Sequence, residues 1–249
     1  SDAELMPCLT ELTWDFSCLR QIVVIDNTET GPSKLVKAFE AKGNIRVRHH
    51  QELIAKPTLL KQPWPEIQPS DAASVVFTSG TTGPAKGVVM PHGHVCLLAN
   101  TTAGETDMTA SDVFYSAHPL FHIAGKFMGV LAIFAAGGTL VLDRKFDAKR
   151  WLDRIRESGA TISIAHGPMI EMIQAEPPRS EDSDNVLTRL MCCPLPKRHG
   201  DAFLERFGVK GIEMWGMSEV GCPCWTSRQF PVVAGSCGKV LTEWYDVEV

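Results

Sequence analysis

The sequence is short of several features that mark specialised protein classes. Basic residues are not in excess, since 24 Lys and Arg stand against 29 Asp and Glu, for a net charge of −5. A nucleic-acid-binding domain should carry a basic face, so this charge argues against that class. No apolar stretch approaches the length of a membrane span, and no basic segment followed by an apolar one opens the chain. We therefore expect a cytoplasmic protein with no membrane span and no nucleic-acid partner.

The eight cysteines also lack the pattern of a disulfide framework. Their spacings show no repeat, and a chain of 249 residues can build a core without crosslinks. Cys222 and Cys224 are closer together than zinc ligands usually are, and no pair of histidines follows them. We predict free, mostly buried thiols in a reducing compartment rather than a metal site.

The chain does contain short β-branched runs that alternate with helical patterns. The runs predict strands at residues 21–25, 45–48, 74–78, 88–90, 113–116, 139–142, 161–164, 188–191 and 212–215. Helices are predicted at residues 34–42, 94–102, 126–136, 148–158, 167–175 and 200–207. Such alternation is typical of an α/β fold with a largely parallel sheet. We further expect a proline-rich connector at 56–69, an exposed loop at 176–185 and a strand-like end at 245–249.

The most specific segment is the ten-residue stretch TSGTTGPAKG, which follows a predicted buried strand. It holds four hydroxyl side chains, three glycines and one lysine, and its residues are Thr78, Ser79, Gly80, Thr81, Thr82, Gly83, Pro84, Ala85, Lys86 and Gly87. Glycines let the backbone approach an anion closely, and successive amides and hydroxyls can surround phosphate oxygens. Lys86 adds a positive charge for a phosphate. The order of Lys and Ser/Thr differs from that of a P-loop NTPase, so we predict another kind of phosphate-binding loop.

At this point the sequence resembles a known family. The run from Thr78, extended as TSGTTGPAKGVVMPH, is similar to the signature loop of the adenylate-forming superfamily, which includes acyl-CoA synthetases, luciferases and the adenylation domains of peptide synthetases. The resemblance implies that this loop holds the phosphates of ATP. It also implies layered β-sheets flanked by helices, as in the large domain of these enzymes.

A second segment of the same resemblance is PLFHIAG, which precedes a predicted apolar helix. In the family this histidine lies beside the acyl pocket and the ATP site, so the resemblance implies that His122 shapes that pocket. A lone histidine is otherwise more often an ordinary core residue, and it is the surrounding motif that favours a function here.

A third segment, WGMSE, is similar to the family's Tyr-Gly-Met-Thr-Glu run. The resemblance implies that the nucleotide is bound by four consecutive residues, Trp215, Gly216, Met217 and Ser218. It implies that Glu219, together with Thr81, holds Mg²⁺, a cation that prefers oxygen ligands. With Lys86 and His122, Glu219 completes the set of residues expected to take part in catalysis.

Two further segments fit the family less closely. Residues 191–196 (MCCPLP) occupy the place of a glycine-rich loop near the adenine, but the glycines are missing. Residues 235–240 (GSCGKV) match a Gly-Ser-x-Gly-Lys turn, which we expect to be structural. Within the superfamily, the run from Asp201 to WGMSE most resembles crotonobetaine/carnitine-CoA ligases.

The resemblance covers the chain from about residue 22 onward, but family members are longer. We expect residues 1–249 to form the central part of the large AMP-binding domain, incomplete at both ends, without the small C-terminal domain. The implied reaction is ATP-dependent activation of a small carboxylic acid to an acyl-AMP, followed by transfer to coenzyme A. We expect the 249-residue chain alone to show little or no ligase turnover.

Two alternatives remain open at this point. An amino-acid or aryl-acid adenylation module would share the loop, although amino-acid-activating relatives usually place an Asp after Phe121, and here His122 follows. A quaternary ammonium group could instead bind aromatic faces, for which Trp215, Phe121 and Trp225 are candidates. The other alternative is a catalytically inactive nucleotide-binding or interaction remnant. The oligomeric state is not predicted.

Overall fold

The computed structural model describes residues 20–25, 46–54, 63–78, 83–226, 233 and 235–248. The chain divides into two compact units, residues 1–65 and 66–249. In the first unit, strand β1 (Gln21–Val24) pairs in parallel with β2 (Arg46–His49), and helix α1 (His50–Ile54) follows β2 directly. The two predicted strands of this unit are therefore confirmed. The predicted helix at 34–42 lies outside the described residues.

The second unit is built on a seven-stranded sheet and a separate two-stranded hairpin. Its strands are β3 (Ala72–Thr78), β4 (Lys86–Pro91), β5 (Val113–Ser116), β6 (Thr139–Leu142), β7 (Ile162–His166), β8 (Arg189–Cys193), β9 (Lys210–Met217), β10 (Gly221–Trp225) and β11 (Lys239–Val240). The order in the large sheet is β11-β10-β9-β8-β7-β5-β6. The five strands from β9 to β6 are parallel, whereas β10 and β11 are antiparallel additions.

Helices cover both faces of the large sheet. They are α2 (His92–Glu105), a π-helix (Ala124–Leu131) that continues into α3 (Ala132–Ala135), α4 (Trp151–Ser158), α5 (Gly167–Gln174) and α6 (Gly200–Phe207). Side chains from α2, the π-helix and α3 pack on one face, in a cluster that includes Leu98, Met128 and Ile164. Side chains from α4, α5 and α6 pack on the other face. The structure thus confirms the α/β class with a helix-flanked sheet.

Local sequence explains where these elements lie and end. Strand β7 reads Ile-Ser-Ile-Ala-His and is buried along its first four residues, because both faces of a parallel sheet are covered by helices. Helices α4 and α6 each end at a glycine with a left-handed backbone, Gly159 at φ 64° and Gly208 at φ 63°. Only glycine adopts this conformation without a steric cost, so both glycines act as helix stops.

The hairpin formed by β3 and β4 differs from its prediction as a buried strand. Val76 and Met90 are buried against α2 and its neighbours, but Val75 is 52% exposed and Phe77 is 69% exposed. One face of this hairpin is covered and the other is open to solvent. The expectation of a buried strand before the phosphate loop is therefore wrong. The composition of the run Ser-Val-Val-Phe-Thr does not distinguish a strand that is covered on both faces from one that is covered on a single face.

Other differences lie near the ends of the predicted elements. Residues 245–248 carry no strand, so the predicted strand-like end is wrong for them, and β10 and β11 were not predicted. The loop at 176–185 is mostly exposed, as expected, yet its Asp182 is 3% exposed because Arg206 Nε donates to its carboxylate at 2.6 Å. Among the described residues, no helix is both long and apolar enough to cross a membrane.

The described cysteines are free thiols. Cys192, Cys222 and Cys224 are buried, Cys193 is half-buried, and Cys96 and Cys237 are exposed. The expectation of free thiols is confirmed for these residues. Most of them fill space in the core and at the strand ends.

Candidate functional site

The carboxyl ends of the parallel strands meet at one edge of the large sheet, which we call the carboxyl edge. Strands β5, β7, β8 and β9 end there at Ser116, His166, Cys193 and Met217. In open α/β sheets, ligands bind in the crevice beyond this edge. The residues after β5 include His122, and those after β9 include Glu219, so two of the three predicted segments lie at the carboxyl edge.

The third segment lies at the mouth of the β3–β4 hairpin. Thr78 ends β3 and Lys86 begins β4, and the two residues face each other in the antiparallel register. Directly opposite residues in such a pair have Cα atoms about 4.5–5.5 Å apart, so the loop between them starts and ends at one place. Lys86 is exposed, which leaves its ammonium group available to an anion.

Only part of the predicted phosphate loop is described. Gly83 is exposed, and a Cβ added there would meet nothing within 4 Å. The other four predicted loop residues, Ser79, Gly80, Thr81 and Thr82, lie outside the described residues. Their contribution to phosphate or Mg²⁺ binding stays a prediction.

The segment Trp215–Glu219 is positioned by a close approach of two backbones. A Cβ added at Gly216 would lie 2.1 Å from the carbonyl oxygen of Gly221, so no larger residue fits where β9 turns into β10. This turn leaves Trp215 47% exposed and Met217 44% exposed. Ser218 is 7% exposed, and Glu219 is exposed in the turn. The segment therefore presents a flat aromatic face and a carboxylate, whereas the Ser218 hydroxyl between them is buried.

His122 is held in one tautomer by the backbone. The amide N–H of Ala124 donates to His122 Nδ1 at 3.1 Å, so Nδ1 carries a lone pair and the neutral ring has its proton on Nε2. Burial lowers the pKa of His122, which favours this neutral form. The imidazole can thus donate a hydrogen bond from Nε2 at neutral pH.

Two histidines that were not predicted as site residues lie beside His122. The rings of His118 and His166 are in edge contact, with centroids 4.5 Å apart, and the rings of His122 and His166 are 5.6 Å apart. His118 follows the end of β5, and His166 is the last residue of β7. The predicted strand ends could have indicated both positions, but the contact joins residues 48 apart in the sequence.

A buried carboxyl group, Glu213, lies in β9 just before the WGMSE segment. It is 4% exposed, and its Oε1 accepts the amide N–H of Leu195 at 3.2 Å. Burial raises the pKa of Glu213, although the Leu195 hydrogen bond acts in the opposite direction. The Glu213 carboxyl thus links β9 to residues 191–196, the segment that occupies the place of the family's glycine-rich loop.

Of the three aromatic residues that were candidates for binding a quaternary ammonium group, only two are exposed. Trp225 is 1% exposed, and its Nε1 donates to the carbonyl of Cys222 at 2.9 Å. Phe121 is 78% exposed and Trp215 is 47% exposed. Trp225 is therefore a core residue, because β10 buries it beneath the sheet edge.

Each of the three predicted segments is positioned by a different structural element. In the described part of the chain, no hydrogen bond or ion pair joins Lys86 to Glu219. No group of three or more His, Cys, Asp or Glu among the described residues has a geometry that could hold a metal ion. The only expected metal ligand that is described is Glu219, whose carboxylate suits Mg²⁺ as one of a few protein ligands.

Comparison with known proteins decides the family. The sequence pattern of the family described as "AMP-binding enzyme" matches residues 11–249, which is nearly the whole chain. The chain belongs to the AMP-binding enzyme family.

Similar curated proteins of this family are CoA ligases. The crotonobetaine/carnitine–CoA ligase of Shigella sonnei (strain Ss046) is 32% identical over 181 residues, which cover 70% of this chain and 35% of that protein. The enzyme of the same name from Escherichia coli (strain K12 / DH10B) is 33% identical over 156 residues, which cover 62% of this chain and 30% of that protein. The match thus spans about a third of the length of these curated relatives.

Solved structures of AMP-binding enzymes share the fold. A malonyl-CoA ligase, in a ternary product complex with methylmalonyl-CoA and AMP, superposes with a TM-score of 0.68 at 21% identity, over 95% of this chain and 49% of that one. The anthranilate CoA ligase AuaEII, in complex with anthranoyl-AMP, gives a TM-score of 0.74 at 20% identity, over 96% and 44% of the two chains. These likenesses show that the fold is that of AMP-binding enzymes.

Proposed function

We propose that this chain is part of an acyl-CoA ligase, which uses ATP to convert a small carboxylic acid into an acyl-AMP and then transfers the acyl group to coenzyme A. The observation that carries the proposal is the hairpin mouth, where Thr78 and Lys86 face each other at the two ends of the family's phosphate loop. Curated relatives at 32% identity that are CoA ligases support the same reaction class. We further propose that residues 1–249 are part of a large AMP-binding domain.

The proposal gives each predicted residue a role. Thr78 and Lys86, with the loop between them, hold the phosphates. Trp215 offers its exposed face to the nucleotide, and Ser218 offers its hydroxyl to the α-phosphate. Glu219 would hold Mg²⁺ through its carboxylate, because Mg²⁺ prefers carboxylate and phosphate oxygens as ligands.

In the first step, an oxygen of the substrate carboxylate attacks the α-phosphorus of ATP, the bond to the β-phosphate bridging oxygen breaks, and pyrophosphate leaves. Negative charge grows on the phosphates as this happens. The Lys86 ammonium and bound Mg²⁺ would offset that charge, since preorganised positive groups lower the barrier of such a step. His122, neutral with its proton on Nε2, would donate a hydrogen bond near the reacting oxygens.

In the second step, the sulfur of coenzyme A attacks the acyl carbonyl carbon, and AMP leaves with the electron pair of the broken acyl–phosphate bond. The thiol proton leaves to a base or to water. No protein nucleophile is needed in either step. The Cys192 thiol at the carboxyl edge would be a poor nucleophile, because burial raises its pKa strongly.

Nucleotide binding is the first test of this function, because it does not require turnover. With Mg-ATP at about a hundredfold excess over its dissociation constant, a binding site should stabilise the chain by about 2.7 kcal/mol. We expect this stabilisation in a thermal melt and its loss in Lys86→Ala. The control is Lys210→Ala, which removes an exposed lysine at the start of β9, at the other end of this strand from Trp215.

The outcome also separates the alternatives. An unchanged melting temperature with both Mg-ATP and an acyl-AMP analogue would contradict the proposal and favour an inactive remnant. If nucleotide binds, ATP-dependent release of pyrophosphate across a panel of carboxylic, aryl and amino acids would identify the substrate class. Release with amino acids alone would favour an adenylation module.

A further inference from the structure

We propose that Cys224 and Cys237 form a site of reversible thiol oxidation, at which a low-molecular-weight disulfide such as oxidised glutathione converts the two thiols to an internal disulfide bond. Three observations carry this assignment: the contact of the two thiols, the close approach of the backbones that bear them, and the exposure of one thiol only. The oxidation requires neither ATP nor an acyl substrate, so it can be tested apart from the proposed ligase function.

The two thiols are in contact although they come from different parts of the fold. Cys224 lies in β10, and Cys237 lies in the turn that leads into β11. Both thiols are free, and they are hydrogen-bonded to each other. A disulfide can form without backbone movement only where two cysteine side chains point toward one another, and such a hydrogen bond shows that arrangement.

The backbones of the two segments are also held close together. In the antiparallel register of β10 and β11, Cys224 faces Val240. A Cβ added at Gly238 would lie 2.1 Å from the carbonyl carbon of Trp225, and Gly238 has φ 92°, so only glycine fits here without displacing β10. Cys237, the residue before Gly238, is thereby held beside the strand that contains Cys224.

The two thiols differ in their access to solvent. Cys237 is exposed, so a small disulfide in solution can reach its sulfur. Cys224 is 5% exposed, so the same molecule cannot approach it directly. Burial raises the pKa of Cys224, and the neighbouring Cys237 raises it further, so the buried thiol is protonated at pH 7. The exposed thiol is therefore the one that attacks the oxidant, and the buried thiol reacts second.

The oxidation proceeds by two thiol–disulfide exchange steps. Cys237 loses its proton to solvent and attacks one sulfur of oxidised glutathione, so that a protein–glutathione bond forms, the glutathione S–S bond breaks, and one glutathione leaves as a thiolate that takes up a proton. Cys224 then loses its proton to solvent and attacks the Cys237 sulfur, and the second glutathione leaves in the same way. Two protein thiols are oxidised and one glutathione disulfide is reduced to two thiols, so no further oxidant is needed.

Two other thiols provide points of comparison. Cys222 lies two residues before Cys224 on β10, but it is buried, and its Sγ donates to Met128 Sδ at 3.8 Å. Burial raises the pKa of Cys222 to about 12, so it is a poor nucleophile. Cys96 is exposed on helix α2 and serves as the reference for a thiol that a small disulfide can reach.

The disulfide would form beside the segment proposed to bind the nucleotide. Cys224 faces Trp215 in the antiparallel register of β9 and β10, and side chains that are directly opposite lie on the same face of a sheet. Trp215 is 47% exposed and is the aromatic residue proposed to face the nucleotide. Reversible disulfides in reducing compartments usually have a catalytic or redox-sensing role. The thiol pair thus places a bond that responds to redox conditions next to the strand that carries Trp215.

The test exposes the full chain to glutathione buffers with a rising share of the oxidised form and identifies the products by peptide mass mapping. We expect wild type to lose two hydrogens and to join Cys224 to Cys237. This should occur at a ratio of oxidised to reduced glutathione roughly tenfold lower than the ratio at which Cys96 acquires glutathione, because the second exchange step is intramolecular. Dithiothreitol should restore both thiols.

Two variants separate the roles of the two thiols. Cys224→Ala keeps the exposed thiol and removes the one that reacts second, so Cys237 should retain glutathione as a mixed disulfide. Cys237→Ser should leave Cys224 unmodified, because the oxidant cannot reach the buried sulfur. Cys96→Ser, which removes an exposed thiol from α2, is the matched control and should form the disulfide at the same ratio as wild type.

Several results would overturn the assignment. They are a disulfide that joins other cysteines, glutathione that stays on Cys237 in wild type, and a pair that remains reduced at ratios at which Cys96 is modified. Attachment of glutathione to Cys224 in Cys237→Ser would also contradict it, since the buried thiol would then be open to the oxidant. Failure of Mg-ATP to bind would instead contradict the proposed function and would leave the thiol pair unaffected.

Discussion

Two polar clusters at opposite ends of the parallel strands differ in how their groups are paired, although the loop that enters β8 at the amino end also holds the unpartnered Asp182 Oδ1. At the amino end, which we call the amino edge, Asp112 is 5% exposed and accepts hydrogen bonds from Thr161 Oγ1 at 2.7 Å and from the Thr109 amide at 2.8 Å. Its carboxylate also pairs with Arg189, which donates in addition to the carbonyls of Thr106 and Asp107, both at 2.7 Å. At the carboxyl edge, His118 Nδ1 and Glu213 Oε2 are buried with no partner.

This difference separates stability from chemistry within one sheet. The amino edge ties β5, β7 and β8 together through groups that satisfy one another, so their net effect is to hold the strands. At the carboxyl edge, His118 Nδ1 and Glu213 Oε2 lack protein partners, and a buried polar atom without a partner costs free energy. The carboxyl edge is also where two of the three predicted ligand-binding segments lie. Four substitutions would break or sharpen this comparison.

The largest effect should come from Arg189→Met at the amino edge. It leaves the buried Asp112 carboxylate without its cation and two carbonyls without a donor. Removing one partner of a buried ion pair costs about 3–5 kcal/mol, so the urea midpoint should fall by that equivalent. Arg150→Met is the control, because its pair with Glu157 is 60% and 50% exposed and should contribute no more than about 1 kcal/mol. Equal losses in the two variants would contradict the structural role of the amino edge.

Gly216→Ala should have the next largest effect, and it acts at the carboxyl edge through packing. The added Cβ would lie 2.1 Å from the Gly221 carbonyl oxygen, so β9 and β10 must move apart. We expect a loss of about 3 kcal/mol, at the upper end for an overpacked site. The same shift should displace Trp215 and Ser218, so Mg-ATP should no longer raise the melting temperature. A stable variant that still binds nucleotide would show that this close approach is dispensable.

Asp112→Asn should change how the free energy of unfolding depends on pH. Burial acts to raise the pKa of Asp112, but hydrogen bonds from Thr161 and Thr109 and the charge of Arg189 outweigh it, so the pKa is lowered. A carboxyl group with a lowered pKa in the folded state adds stability above its unfolded value of about 3.9, and this is lost as the pH falls through the folded value. The variant should lose about 2 kcal/mol at pH 7.

The acid limb is the measurement that distinguishes this effect. Urea unfolding between pH 7 and pH 2 should show a shallower decline in stability for Asp112→Asn than for wild type. Parallel curves would mean that another acidic group, such as Asp182 with its own lowered pKa, accounts for acid lability.

The sequence was informative about the elements and less so about the site. The strands at 113–116 and 139–142 were predicted with their observed bounds, because β-branched runs bounded by turn residues are strong local signals. Strand β10 was missed, since Pro223 in its centre argues against a strand and is tolerated only beside the irregular register of this pair. The predicted helix at 126–136 exists, but local sequence did not indicate that its first part is π-helical.

The candidate site shows the same limit. Lys86, His122 and Glu219 could be named because each lies in a contiguous motif. The pairing of His118 with His166 could not, because it depends on β5 and β7 being neighbours although β6 lies between them in the sequence. Burial of a strand is likewise a property of its surroundings, which is why the exposure of Phe77 was not predicted.

The smallest effect on stability should come from His118→Leu, and it tests the comparison most directly. The substitution removes a buried ring whose Nδ1 has no partner and replaces it with an apolar side chain of similar size. Loss of one hydrogen bond to the half-buried His166 is then offset by relief of an unpaired polar atom, so the net change should stay within about 1 kcal/mol. Urea unfolding beside Arg189→Met gives the contrast. A loss of about 3 kcal/mol or more in His118→Leu would mean that the histidines hold the fold as firmly as the amino edge does, and that the unpaired nitrogen is no mark of a site.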